Sequence, residues 1–368
     1  MKTYNIKIKT KTKKYTIVIG HNIIKSISSI LKKHNIFFRK CLIVIDKNIP
    51  SKFKSTLIKN LKTNKKFIYK FNPSEKNKSY KSVDQIHKFL FNKRFNREDC
   101  VISFGGGITG DVVGFASSTF KRGIKFINIP STLLSQVDSS IGGKTGINNN
   151  FGKNLIGSFY QPELVISDIK ILKSLPKREI VCGYAEILKS SLIDNYKNFY
   201  FLDKNFKNII QLESPFIEKA LINSCKLKKT IVEKDEVEKN LRKVLNLGHT
   251  FAHAYESSLN FSNKLNHGEA VILGIKNAIK FSNIKNLLSE KKFKLINNHI
   301  KKITSVNNLH KLFKKKDLNK IINFMKSDKK NKSNKINIIL IKDFGKIKTD
   351  FQINSDKLKK FLLSELNN

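Results

Sequence analysis

Cys100-Val101-Ile102-Ser103-Phe104-Gly105-Gly106-Gly107-Ile108-Thr109-Gly110-Asp111 is the stretch on which the fold turns. Its first half is an unbroken apolar run, the pattern of a strand covered on both faces. Its second half is a glycine-rich loop opening a helix. Glycines there let backbone N–H groups approach a phosphate, and a helix N-terminus favours negative charge. The spacing is not GxGxxG, so the usual dinucleotide fingerprint does not apply, and a plain glycine turn at a strand end reads nearly as well.

Working outward, Tyr15–Gly20, Cys41–Asp46 and Phe126–Pro130 repeat the apolar run, with helix-compatible stretches between them. That alternation predicts a parallel sheet with helices on both faces. Asp46 ends one strand, where an acidic residue can accept from a ribose hydroxyl or simply cap a turn. From about Pro176 the pattern changes. Residues 179–202, 215–233, 246–259 and 268–284 carry helical spacing. The run 326–334 reads as a Lys/Asn-rich loop, and Lys335–Ile341 as a strand. The expected division is an α/β domain over 1–178 and a mostly helical domain over 179–368.

The N-terminus alternates polar and apolar residues as a first strand and lacks the apolar core of a signal peptide; no apolar run is long enough to span a membrane. A cytoplasmic location is the expectation. Cys41, Cys100, Cys182 and Cys225 lie far apart and read as core residues. The net charge of +44 invites a nucleic-acid reading, but only six of the 72 basic residues are arginine, the residue suited to bidentate grips on phosphates and bases. The lysines are spread along the chain amid Asn and Ile, which reads as compositional bias. Nucleic-acid binding is therefore not expected as the selected function.

Three further motifs carry chemistry. Ile129–Gly146 contains a Gly-Gly-Lys-Thr-Gly segment, followed by Gly152-Lys153-Asn154. Two lysines in glycine-rich loops make an anion cradle. It is not a Walker A loop, because Asp138 stands where that motif needs its first glycine. Asn246–Glu256 places His249 and His253 one helical turn apart, and Thr250 replaces the glutamate a metallopeptidase helix needs. Asn266-His267-Gly268-Glu269 opens another helix, and Glu186 in Gly183–Lys189 is a candidate carboxylate. Two histidines and one glutamate can hold Zn²⁺ with positions left open. By spacing alone, structural histidines account for these residues at least as well.

Taken in order, Gly105–Asp111, Pro130–Gly146, Gly152–Asn154, Gly183–Lys189, Asn246–Glu256 and His267–Val271 are similar to the motifs of the dehydroquinate synthase family, over about residues 15–345. The resemblance implies an N-terminal α/β, Rossmann-like NAD-binding domain and a helical metal-binding domain, in a homodimer. It implies conversion of 3-deoxy-D-arabino-heptulosonate 7-phosphate to 3-dehydroquinate and phosphate, by NAD-mediated oxidation, phosphate elimination, reduction and ring closure. This is a step of aromatic amino acid biosynthesis by the shikimate pathway.

Carried over by position, the resemblance assigns NAD contacts to Asp46, Glu75, Lys78, Gly106, Gly107, Asp111, Ser131 and Thr132, with Lys144 and Lys153 near both cofactor and substrate. It places Arg122, Asp138, Asn154, Lys189, Lys228, Arg242, Asn246 and His253 about the substrate, Arg122 reaching a neighbouring subunit's phosphate. It gives catalytic roles to His253, Lys144, Lys189 and Glu256, and a Zn²⁺ or Co²⁺ ion to Glu186, His249 and His267. Lys329 or Lys330 would also contact substrate. Departures from the family pattern fall at Ser74, Ser131, Asn240 and Ala252, none of them a proposed ligand or acid/base. The nearest rivals are a deoxy-inosose or valiolone synthase, against which Lys228, Arg242 and Asn246 speak, and a metal-dependent alcohol or glycerol dehydrogenase, which has no use for the phosphate-binding cations.

Overall fold

The computed structural model describes residues 3–303, 309–326 and 335–367. The chain forms two compact units. The first runs to Ile180 and takes in Leu212–Val237; the second comprises Val181–Gln211 and the residues from Glu238 on. The returning segment is the one departure from a single boundary near residue 178. Its helix, Phe216–Lys234, and the turn after it bond to the first strands: Lys9 N–H donates to Glu233 Oε1 at 2.7 Å and Thr12 N–H to Glu236 Oε2 at 3.2 Å.

The first unit is built on β1 (Thr3–Lys9), β2 (Lys14–Gly20), β3 (Lys40–Asp46), β4 (Lys65–Phe71), β5 (Cys100–Gly105), β6 (Lys125–Pro130), the hairpin β7 (Lys144–Asn149) and β8 (Gly152–Phe159), and β9 (Leu164–Asp168). Seven of these form one sheet in the order β1-β2-β9-β6-β5-β3-β4. Only β1 and β2 pair antiparallel; the rest is parallel. Along β3, Cys41, Ile43 and Ile45 join the core on one face, with Phe53 and Leu57 of the helix Ser51–Asn60. Leu42 and Val44 join the core on the other, with Ile86 of Tyr80–Asn92 and Val112 and Val113 of Gly107–Thr119. A strand covered on both faces has no polar side to alternate, which is why these runs are continuously apolar.

The chain leaves β3 toward β4 at the sheet edge, then returns to lay β5 against the other side of β3. Strand order therefore reverses between β3 and β5, the place where open α/β sheets bind ligands beyond the carboxyl ends of their strands. Ile45 pairs with Phe104. Asp46 and the Gly105–Gly107 loop thus stand side by side at that crevice.

The second unit is mostly helical. Its main helices are Val181–Asp194, the part of Lys177–Asp194 beyond the boundary, then Tyr196–Lys204, His249–Ser258, His267–Ile284, Glu290–Lys301, Leu318–Lys326 and Ser355–Asn367. A hairpin of β10 (Lys335–Asp343) and β11 (Lys346–Asn354) completes it. Of the expected loop over 326–334, Lys326 ends a helix and the rest lies outside the described residues, as do Lys329 and Lys330. All four cysteines are buried and unbridged. Among the described residues no helix is long and apolar enough to cross a membrane.

A buried polar chain braces this unit. His299 is fully buried; one ring nitrogen lies 2.8 Å from Tyr184 Oη and the other 2.8 Å from Asp203 Oδ1, which also accepts from Lys302 Nζ at 2.6 Å. Burial lowers the His299 pKa. Burial works to raise the Asp203 carboxyl, but the hydrogen bonds from Lys302 and His299 outweigh it and hold it low. Both groups bind protons more readily unfolded, so stability is present above their ordinary ranges and falls as the pH drops, first below about 6.5 and then below about 4. His299→Ala should cost about 2–4 kcal/mol in chemical denaturation, because it leaves a cavity and an unpartnered buried Tyr184 hydroxyl. It should also flatten the pH dependence of stability between about 5 and 7.

Candidate nucleotide and metal sites

In the first unit, the buried Asp46 carboxylate accepts from the Asn48 backbone at 2.8 Å and from the Gly106 N–H. Burial raises its pKa, and these two hydrogen bonds oppose the rise. Gly106 caps the helix Gly107–Thr119. A Cβ on Gly106 would come within 3.2 Å of Thr132 Cγ2, and one on Gly107 within 3.1 Å of Ser139 Oγ. The loop glycines thus lie close against Thr132 and Ser139, and with the Gly106 N–H given to Asp46, it is the first turn of the following helix, at the positive end of its dipole, that suits a close-lying anion. Ser131 follows β6 and donates its N–H to Gly105 O at 2.8 Å, which ties the second motif to the first.

Beside the loop, the buried Lys78 ammonium lies 2.5 Å from both Asp111 Oδ2 and Asn154 Oδ1. Burial pushes the Asp111 carboxyl up, and the Lys78 charge pulls against it. Lys153 pairs with Glu75 at 2.8 Å. Lys78 and Lys153 are therefore gathered with their partners, and the segment read as glycine-rich loops is the hairpin of β7 and β8, which carries Lys153 and Asn154, with Lys144 exposed at the start of β7. The reading passed over Asn148, whose backbone N–H donates to Lys78 O and whose side chain bonds Glu75 and the Asn154 N–H. In so asparagine-rich a chain nothing in the sequence singles it out.

Asp138 sits on a π-helical turn, Ser135–Ser139, a local distortion frequent at functional sites. Lys228, buried on the returning helix, donates to its carboxylate at 2.6 Å and to its carbonyl at 2.7 Å. Arg122 is exposed on a turn where Lys121 and Arg122 both hold left-handed backbone, φ 47° and 64°.

In the second unit, Glu186, His249 and His267 come from three helices, with one potential ligand atom from each lying within 4.8 Å of the others. Glu186 Oε1 is 3.6 Å from His249 Nε2 and 3.9 Å from His267 Nε2. His267 stands at the first position of its helix because Asn266 and Glu269 form a reciprocal capping box. The far ring nitrogens are engaged: His249 Nδ1 with Leu247 O at 3.3 Å and His267 Nδ1 with Glu256 Oε2 at 3.1 Å. Held that way, both Nε2 atoms face Glu186, the orienting arrangement of metal-binding histidines. Burial, then the Lys189 charge, drives the His249 pKa well down, so its imidazole is neutral as a ligand must be. Burial works to lower that of His267, but its hydrogen bond to Glu256 and that carboxylate's charge raise it.

The donor set fits a divalent ion. Glu186 is buried and pairs with the buried Lys189 ammonium, yet neither carboxylate oxygen accepts a well-formed hydrogen bond. Oε1, which faces both histidines and accepts no hydrogen bond, is the buried oxygen that a metal cation would satisfy. His253 lies just outside the trio, its ring centroid 5.3 Å from that of His249 and 6.4 Å from that of His267. It is exposed, while Arg242 is buried. Asn246 donates to Glu238, at 2.9 Å, another residue the sequence reading passed over.

A glycine loop at the switch point of a parallel sheet, carried in one chain with a helical unit bearing a two-histidine, one-carboxylate trio, defines the class: a chain built like the metal-dependent, nucleotide-binding α/β enzymes. Within that class the chain belongs to the 3-dehydroquinate synthase family. Residues 68–182 match the family's N-terminal profile, and 183–331 its C-terminal profile. It is 56% identical to the 3-dehydroquinate synthase of Pelagibacter ubique (strain HTCC1062) over 98% of both chains, and 38% identical to that of Bartonella quintana (strain Toulouse) over 94% of this chain and 93% of that one. A solved 2-deoxy-scyllo-inosose synthase, complexed with carbaglucose-6-phosphate, NAD⁺ and Co²⁺, superposes with a TM-score of 0.85 at 25% identity, covering 97% of this chain and 98% of that one.

Proposed function

We propose that this chain is a 3-dehydroquinate synthase, a carbon–oxygen lyase that converts 3-deoxy-D-arabino-heptulosonate 7-phosphate to 3-dehydroquinate and phosphate. The observation that carries the reading is 56% identity along nearly the whole of a curated 3-dehydroquinate synthase. When bound, a Zn²⁺ or Co²⁺ ion supplies a Lewis acid and NAD supplies a reversible hydride acceptor.

The protein's own groups do the rest. Asp46, the Gly106–Gly107 backbone, Ser131 and Thr132 seat the nucleotide, with Lys78, Asp111 and the Glu75–Lys153 pair on its rim. Glu186, His249 and His267 hold the metal, and Glu256 fixes the His267 tautomer. Lys144, Lys153, Asn154, Lys228, Asp138, Lys189, Arg242 and Asn246 complement the carboxylate, hydroxyls and phosphate of the substrate. Fixed cations aimed where negative charge develops lower the barrier to losing phosphate. His253 is exposed beside the trio and suits proton transfer near neutral pH. The reading includes a cytoplasmic homodimer, in which Arg122 serves the neighbouring subunit's phosphate.

The discriminating experiment is phosphate release from the heptulosonate phosphate against release from glucose 6-phosphate, each with NAD and metal. Release from the first alone is expected; preference for glucose 6-phosphate would move the chain to the inosose synthases. Gly106→Val should weaken NAD binding at least about tenfold in a fluorescence titration, because its branched carbons enter the space facing Thr132.

A further inference from the structure

The three ligand-bearing helices of the second unit touch through glycine at backbone distance. Gly268 directly follows His267. A Cβ on it would lie 2.3 Å from Cys182 Cα and 2.5 Å from Cys182 O, and its N–H donates to Cys182 Sγ at 3.3 Å. Cys182 is one turn before Glu186 on the same helix. Gly274 lies two turns along the His267 helix, and a Cβ there would lie 2.1 Å from Gly248 O. Gly248 directly precedes His249; its φ of +80° suits glycine, and its own Cβ would come within 2.8 Å of Ile275 N.

The His267 helix is thus a common spine. One end bears on the Glu186 helix and its middle bears on the turn that presents His249, each contact made within a turn of a ligand. Backbone meets backbone at both contacts, so they fix how closely the ligand-bearing helices approach, and such packing is not compressible. A tetrahedral ion with bonds of about 2.0–2.1 Å needs donors about 3.3 Å apart. The Glu186-to-histidine separations of 3.6 and 3.9 Å are already close to that.

We infer that Gly268, Gly274, Gly248 and Cys182 are positioning residues that set the affinity of the metal site by fixing the spacing of its three helices. The inference rests on the metal reading of Glu186, His249 and His267.

The test measures Co²⁺ and Zn²⁺ dissociation constants by chelator competition on the full chain, together with the visible spectrum of the Co²⁺ form. Gly268→Ala and Gly274→Ala should each weaken binding at least about tenfold and alter the Co²⁺ absorption, as loss of supporting groups around metal ligands does. Gly157→Ala is the matched control. Its Cβ would also lie 2.1 Å from a carbonyl, that of Thr145, but on the hairpin of the first unit. It should leave metal affinity unchanged, which separates a positioning effect from general destabilisation. Cys182→Ala only removes atoms, so it keeps the test open if the glycine variants do not fold; about a threefold weakening is expected from loss of the Sγ acceptor. Wild-type affinity and spectrum in Gly268→Ala and Gly274→Ala, or wild-type affinity in Cys182→Ala where those do not fold, would overturn the inference alone. A wild-type chain that takes up no Co²⁺ or Zn²⁺ would overturn the metal reading beneath it.

Discussion

His267→Ala should yield a folded protein that retains little metal and turns over at least about a hundredfold more slowly, the loss expected when one of three protein ligands to a catalytic ion is removed. Its side chain is about one-third exposed, so the truncation leaves no deep cavity. The residue is the first of a helix held by Asn266 and Glu269 independently of the imidazole, so the helix start should survive. What the variant loses is one of three donors, and it strands Glu256, whose Oε2 meets His267 Nδ1 at 3.1 Å. Metal analysis after gel filtration, beside circular dichroism, separates the effects. Wild-type metal content and activity would remove His267 from the ligand set.

Lys228→Met should lower kcat/KM for the phosphorylated substrate about 10²- to 10³-fold, the size of effect seen when one preorganised charged donor is deleted from an active site. The methionine keeps the stem that packs in the buried helix but carries no charge. Lys228 is the group that holds Asp138 by both its carboxylate and its carbonyl. NAD affinity should stay within about threefold of wild type, because Lys228 bonds Asp138 while Asp46 and the Gly105–Gly107 loop keep their own bonds. Initial rates and an NAD titration on the same preparation check both halves. A kcat/KM within a few-fold of wild type would take Lys228 out of the substrate's reach.

Much of the sheet was legible because burial on both faces leaves a plain mark. Cys41–Asp46 and Cys100–Phe104 contain almost nothing but apolar residues, and both are central strands. The edge strand β4 was not, because an edge tolerates lysines: Lys65, Lys66 and Lys70 flank the short run Phe67–Tyr69, and in so lysine-rich a chain the run does not stand out. The β7–β8 hairpin was hidden for a different reason. Its glycines, Gly146 opposite Gly157, serve backbone contact and carry no period-2 signal. Helical spacing found Phe216–Lys234 but could not say where it packs, since that depends on bonds such as Lys9 N–H to Glu233 that span the chain.

The site divides the same way. Glu186, His249 and His267 are far apart in sequence, and local pattern argued at least as well for structural histidines; the ordered set of motifs, with the geometry now seen among the three, makes them a candidate metal site. Nothing in the sequence distinguishes Gly268 and Gly274 within their helix; the structure shows that they mark where helices touch.

The central claim, a cyclase that regenerates its own oxidant, is tested most directly by one stoichiometry. The chain, with limiting NAD and added Zn²⁺ or Co²⁺, is given excess 3-deoxy-D-arabino-heptulosonate 7-phosphate while phosphate, 3-dehydroquinate and NADH are followed together. Many phosphates and equal 3-dehydroquinate per NAD are expected, with no net NADH and with activity abolished by a chelator and restored by the metal. Net NADH formation without phosphate release, or no phosphate release from this substrate in the complete mixture, would contradict it.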